Sequence, residues 1–257
     1  MNNLFYENDK NGFIKNIFED DINNQKKLSS FFNSIITIFQ KYIEKENLIS
    51  IFAKYKKYDD NTFKVKILIL LNNHFNFDKN LQNDFNDLKN KFKIVKKCSL
   101  FFNTRNEVNS NLKNLFDLKI NFICIYGNDI RKEIQNFKPT IDNINFNFQK
   151  LIEIFFNFEK IDMQDKLLAK STIKIILGCC YELCIDREKK YSNNLEFFYK
   201  TFSKYYPEKE IFAKKLLELY NNSNYDIKFI EKILSTFGKW LILQYEKIII
   251  EKKLLTN

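Results

Sequence analysis

Glycine and proline are scarce in this 257-residue chain, at four and two residues. Tight turns draw on both, so a sandwich or barrel of many short strands is disfavoured and helices should dominate. There is one histidine, His74, placed here at the end of a strand. Two-histidine mechanisms and histidine-rich metal sites are therefore excluded, and no nucleophile–histidine pair can be argued. Five cysteines are an odd number and no charged-then-apolar leader precedes a small-residue cleavage site, so a reducing compartment fits better than a secreted disulfide framework. Cys179, Cys180 and Cys184 read as buried thiols of a helix rather than metal ligands, because a single-helix cluster lacks a distant partner pair. Apolar runs such as Ile67 to Leu71 fall well short of the roughly 20 residues a bilayer span needs, and a soluble protein is expected. A phosphate-cradling glycine loop is also missing: Gly178 and Gly238 stand alone, and Gly238-Lys239-Trp240 lacks the rest of a P-loop.

Hydrophobic residues make up 45% of the chain and aromatic ones 16%, enough to build a core and to exclude disorder as the main state. The formal net charge is +10, and it is concentrated. Lys54, Lys56, Lys57, Lys64 and Lys66 face only Asp59 and Asp60 between Ile49 and Asn72. Lys89, Lys91, Lys93, Lys96, Lys97 and Arg105 follow with no acid among them, so these two stretches hold nine of the ten net charges. Such a field suits a polyanionic partner, and a solvated lysine surface is the plainer alternative. The abundance of Asn, Lys, Ile and Phe is what an AT-rich genome produces, and that bias raises the lysine count without any binding role. The expected location is the cytoplasm, or the matrix or stroma of an organelle with such a genome.

Residues 1–28 show no firm period and read as an N-terminal arm or a short irregular helix. Ser29 is a plausible cap for a helix carrying Phe31, Phe32, Ile35, Ile36, Phe39, Tyr42 and Ile43 at three- and four-residue steps. Two extended runs follow, Leu48 to Phe52 and Phe63 to Leu71, separated by the polar Lys54 to Thr62. Asp78 to Phe92 is a helix with acids early and Lys89 and Lys91 late, the order its dipole favours. Strands near Lys93 to Lys97 and Cys98 to Phe102, separate or merged, precede a helix after Thr104 and an apolar run, Ile120 to Tyr126, stopped by Gly127-Asn128. Beyond Pro139 the period is helical throughout: Ile144–Phe158, Asp162–Asp186, Asn194–Tyr206, Pro207–Asn221 and Asp226–Leu255. The expected fold is α+β: a mixed sheet with flanking helices over 29–139 and a helical bundle over 140–257.

Three segments carry a family likeness. Ser99-Leu-Phe-Phe-Asn-Thr-Arg-Asn-Glu-Val108 is similar to a strand ending in Thr-Arg-x-Glu-Leu. Ile125-Tyr-Gly-Asn-Asp-Ile-Arg131 is similar to a Leu-Tyr-Gly-x-Asp-Leu turn, and Tyr191-Ser192 through Pro207 is similar to a helical substrate domain. Their order over roughly residues 30 to 245 resembles the nucleotidyltransferase superfamily of the DNA polymerase β type, in particular small bacterial nucleotidyltransferases and aminoglycoside adenylyltransferases. The resemblance implies Gly-Ser after the first strand and Ser-Asp-x-Asp-Leu on the second, whose alternating carboxylates share one face and hold the metal ions that bridge nucleotide phosphates. This chain departs there. Ala53 and Lys54 stand at the Gly-Ser positions, Lys64 and Lys66 at the two carboxylates, and no acid lies near Lys93 to Lys97 for a third.

Two carboxylates become two ammonium groups, a change of four charge units. At about 4 Å and an effective dielectric near 20 each charge pair is worth roughly 4 kcal/mol, so attraction for a divalent cation turns into repulsion. The resemblance with its departure implies a protein without catalytic residues, bound metal or cofactor. It would act as a binding or architectural subunit of a larger protein or ribonucleoprotein complex. Its basic cleft, formed from Lys54, Lys56, Lys57, Lys64, Lys66, Lys93, Lys96 and Lys97, would meet RNA, a nucleotide or an acidic protein surface. On an edge strand, Lys64 and Lys66 would instead be the solvent side. Phe155-Phe156 and Phe197-Phe198-Tyr199 are candidate partner contacts, since adjacent aromatics on a helix cannot all point inward. Two other readings differ in class: an active enzyme with metal held by Asp59, Asp60 or Asp129, and a helical adaptor without the α/β module.

Overall fold

Asp21, not Ser29, starts the first long helix in the computed structural model of the chain, which describes residues 5–157, 166–222 and 227–256. The Asp21 carboxylate accepts from the Asn24 backbone N–H, and Ser29 lies a further two turns inside, its hydroxyl donating to the Lys26 carbonyl. In chain order the elements are β1 (Phe5–Tyr6), α1 (Ile22–Tyr42), β2 (Leu48–Lys57), β3 (Phe63–Leu71), α2 (Lys79–Lys91), β4 (Val95–Thr104), α3 (Arg105–Asn109), α4 (Leu112–Asn121) and β5 (Ile123–Gly127). They continue as α5 (Phe146–Phe156), α6 (Lys166–Glu182), α7 (Ile185–Glu188), β6 (Tyr191–Ser192), α8 (Leu195–Tyr205), α9 (Glu210–Asn222), α10 (Ile227–Ile233) and α11 (Lys239–Thr256). The architecture is α+β. The chain forms two units: Lys15–Asn136, and Phe137–Asn257 together with Met1–Ile14.

In the unit Lys15–Asn136 four strands lie in the order β4-β3-β2-β5. β2 is antiparallel to both β3 and β5, while β4 runs parallel to β3 with α2 as the crossover. Alternation on β2 and β3 sends Ile51, Ala53, Tyr55, Phe63, Val65, Ile67 and Ile69 to one face, where Phe31, Ile35 and Phe39 of α1 and Leu81, Phe85 and Leu88 of α2 cover them. On the other face Phe52, Leu68 and Leu70 pack beneath Val108, Leu118, Phe122 and Ile130. The segment Lys54 to Thr62 is not a loop. β2 continues through Lys57, and the turn is confined to the next residues, closed by the Tyr58 N–H donating to the Thr62 carbonyl, with Asn61 at φ +60°. Of the two arrangements expected around Lys93 to Phe102, separate strands or one merged strand, the structure has the merged one, β4. β3 is interior, so Lys64 and Lys66 do not sit on an edge strand. His74 falls in an exposed loop beyond the end of β3.

Two sequence signals become local structure here. Thr104-Arg-Asn-Glu107 is a capping box: the Thr104 hydroxyl accepts from the Glu107 N–H while the Glu107 carboxylate accepts from the Thr104 N–H. Those bonds hold the Glu107 carboxyl below the usual range. Gly127 sits at φ +82°, and a Cβ there would lie 2.2 Å from the Ile49 carbonyl oxygen, so only glycine lets β5 close on the start of β2.

Among its described residues the second unit is mainly helical, and β1 pairs with β6, so the stretch after Pro139 is not helix alone. The residues expected to form one arm are divided: Met1–Ile14 belongs to this unit, while Ile22 to Leu28 is helix in the other. The expected helix from Asp162 ends at Glu182 rather than Asp186, and its start lies outside the described residues, as does Asp226. α10 and α11 are joined through a π-helical turn, Leu234–Gly238. Glu182 is buried; its carboxylate accepts from the Asn147 and Phe148 backbone N–H groups and from the Asn147 amide, which satisfies the open N-terminus of α5. Gly178 permits that approach, since a Cβ there would meet the Asn147 amide at 2.4 Å.

Candidate functional site: a lysine-bearing sheet face

Period-two alternation puts Lys54 and Lys56 of β2, and Lys64 and Lys66 of β3, on the face that also carries Phe52, Leu68 and Leu70. The cross-strand register then arranges them in rows. Lys56, Lys64 and Lys97 are partners across β2, β3 and β4; Lys54, Lys66 and Ser99 form the next row, and Leu68 and Phe101 are partners in the row beyond. α3 and α4 roof the apolar end of this face and leave the lysine end open: Lys56 and Lys97 are exposed and Lys64 is half-buried.

Where roof and lysine rows meet there is a cleft of 170 Å³. Lys54, Lys66, Phe101, Asn103, Asn114, Asp117 and Phe122 line it. Lys54 donates to both oxygens of Asp117, at 2.8 and 2.6 Å, and its ammonium lies 4.6 Å from the centroid of the Phe122 ring. The Asn121 amide donates to Asp117 as well, at 2.7 Å. The Lys66 ammonium lies 5.4 Å from the centroid of Phe101, a ring 45% exposed. Ammonium groups at these distances are held partly by the ring quadrupoles.

Five of the eight lysines expected in a basic cleft are thus brought together: Lys54, Lys56, Lys64, Lys66 and Lys97. The other three are elsewhere. Lys57 pairs in register with the buried Phe63 and so belongs to the opposite side of β2, and Lys93 is exposed in the turn before β4. Lys96 is the extra residue of a register shift, 3.4 Å from Asp60 and over the Tyr58 ring. The cleft residues Phe101, Asn103, Asn114, Asp117 and Phe122 were not among the expected site residues. Alternation along Cys98–Thr104 could have placed Ser99, Phe101 and Asn103 together, but no spacing links Asp117 to Lys54.

Of the carboxylates named for a metal, Asp60 and Asp129 are engaged apart from one another, and Asp59 is exposed beside Asp60. Asp60 accepts from the Thr62 N–H and hydroxyl at the β2–β3 turn. Asp129 is clamped by Arg131 through two bonds of 2.7 Å; burial pulls its carboxyl up, but Arg131 outweighs that and holds it below the usual range. Asp117 is spent on Lys54. Among the described residues no group of three or more His, Cys, Asp or Glu side chains is placed to hold a metal ion, and the two positions that the family resemblance gives to metal-binding carboxylates are Lys64 and Lys66, ammonium groups that do not fit a divalent cation. Cys179, Cys180 and Cys184 are buried, and burial pushes the Cys184 thiol up to about 12.

The candidate aromatic contacts divide as well. Phe198 is buried and stacks on Tyr181 at 4.6 Å, Phe197 meets the same ring edge-on at 5.7 Å, and the Tyr199 hydroxyl donates to Glu210. Phe155 is half-buried, and Phe156 stands 82% exposed. No helix among the described residues is long and apolar enough to cross a membrane.

No protein-family model and no curated protein matches the sequence. Among solved structures, the chain is similar to the spectinomycin adenyltransferase AAD(9) from Enterococcus faecialis, determined with ATP and spectinomycin. The identity is 14% and the TM-score 0.43, over 81% of this chain and 99% of that one.

Proposed function

We propose that this chain is a nucleotidyltransferase-like protein that carries out no metal-dependent transfer and serves as an anion-binding subunit of a larger protein or ribonucleoprotein complex. The observation that supports this reading best is the register of the lysines: Lys56, Lys64 and Lys97 in one row, Lys54 and Lys66 in the next, with Asp117 the one carboxylate lining the cleft beside them. Like charges set opposite one another on a sheet oppose folding. Their accumulation on the open end of one face is accounted for by a ligand of opposite sign. A site for metal-assisted transfer needs the reverse, several converging carboxylates.

The reading with Asp59, Asp60 or Asp129 as metal ligands gains no support, because Asp60 and Asp129 are each committed to local bonds. A helical adaptor is inconsistent with the four-stranded sheet. The test has two arms. Incubation with labelled nucleoside triphosphates and magnesium is expected to give no transfer; robust transfer abolished by Asp117→Asn would overturn the proposal. On a heparin column at low salt the chain is expected to be retained, with Lys64→Glu plus Lys66→Glu eluting far earlier. Equal elution of the two would reject the anion-binding face.

A further inference from the structure

We infer that the anion taken by this face is the backbone of a single-stranded nucleic acid, with the Phe101 ring as the platform on which an unpaired base stacks. The inference rests on the proposed anion-binding role of the lysine rows and adds the chemistry of the ligand. Neighbouring strands lie about 4.8 Å apart and alternate residues along a strand about 6.8 Å apart. The five lysine stems therefore root in a patch about 10 Å by 7 Å, which matches a short stretch of phosphates rather than one isolated charge.

The lysines do not end in open surface. One row beyond Lys66, on the same face, Phe101 is 45% exposed, with the Lys66 ammonium 5.4 Å from its centroid. The side chains of Asn103 and Asn114 line the same cleft and offer amide donors and acceptors to the edge of a planar ring. An aromatic platform beside a cationic track is the combination that binds single strands, because every base has a face to stack. A duplex keeps those faces buried in its own stack and would leave Phe101 unused. A featureless polyanion or an acidic protein surface would engage the ammonium groups and leave the ring and both amides without a partner. Lysine ammonium groups are point charges without the fork of arginine, so binding is expected to be tolerant of sequence.

The experiment uses the full chain and fluorescein-labelled 12-mers of uridine and of thymidine, a blunt duplex of equal length, and heparin, followed by anisotropy and column elution across a salt series. Single strands are expected to bind at least tenfold more tightly than the duplex. The logarithm of the affinity should fall against that of salt with a slope of about −3, from four to five lysines at about 0.7 each. Phe101→Ala should weaken oligonucleotide binding by about tenfold or more and shift heparin elution far less, while Phe101→Tyr restores oligonucleotide binding. Lys64→Glu plus Lys97→Glu should weaken both ligands and flatten the slope. Equal affinity of Phe101→Ala and the parent for the 12-mers, with both still held on heparin, overturns this inference and leaves the anion-binding role standing. Failure of the parent to bind any of the four, with circular dichroism showing it folded, overturns both.

Discussion

At Lys64 the proposed anion-binding role and stability pull in opposite directions. Its ammonium shares a row with Lys56 and Lys97, and two like charges about 7 Å apart in water repel by roughly 0.5 kcal/mol. Replacing Lys64 with Thr, a good strand residue, is therefore expected to stabilise the fold by about 1 kcal/mol and raise Tm by about 2–4 °C, while weakening retention on heparin. Thermal denaturation at low salt checks the first part, and the gain should shrink in high salt, where the repulsion is screened. Asp117 acts in the other sense. Asp117→Asn leaves the Lys54 ammonium without its carboxylate, which is expected to cost about 1 kcal/mol in urea unfolding and to strengthen anion binding several-fold. A weaker interaction with heparin in that variant would show that Lys54 takes no part in the face. Asp129 is one source of pH dependence, with Glu107 another. The folded Asp129 carboxyl titrates below the unfolded value, so its contribution is complete above about pH 5 and is lost as pH falls through the lower folded value. Asp129→Asn should accordingly flatten the acid limb of the stability profile.

Among the elements, two of the segments that carry the family likeness prove to be devices of backbone geometry. The Thr104–Glu107 box ends β4 and starts α3 in one step, and Thr104→Ala should cost about 1 kcal/mol in equilibrium unfolding by leaving the Glu107 N–H without its acceptor. Gly127→Ala should cost more, about 3 kcal/mol, because φ +82° and a backbone oxygen 2.2 Å from the new Cβ leave no relaxed alternative. α1 and α2 were legible because their apolar residues recur at helical steps. The start of α1 was misplaced because Asp21 and Ser29 are both good caps, and a cap takes effect only where the chain enters the helix. Lys54 to Thr62 looked like a loop because charges interrupt it. In the structure the lysines of β2 alternate with Ala53 and Tyr55, and that alternation is the mark of a strand with one covered and one open face.

On the scale of the whole molecule, the chain returns on itself in a way no local pattern reveals. Phe5–Tyr6 pairs with Tyr191–Ser192, so the N-terminal segment belongs to the helical unit although the sheet unit follows it in sequence. The candidate site divides along the same line. That residues 64 and 66 are lysine, with no acid between Lys89 and Arg105, is written in the sequence. Hydrophobic period likewise marks the long helices and the apolar strands, because each is a property of neighbours within a few residues. Only tertiary structure decides that Lys97 stands beside Lys64 while Lys93 and Lys96 do not, and that Asp117 from α4 neutralises Lys54. Those outcomes depend on strand register and on where a helix roof ends. Strand pairing and helix packing between segments distant along the chain set them, and no local period displays the outcome.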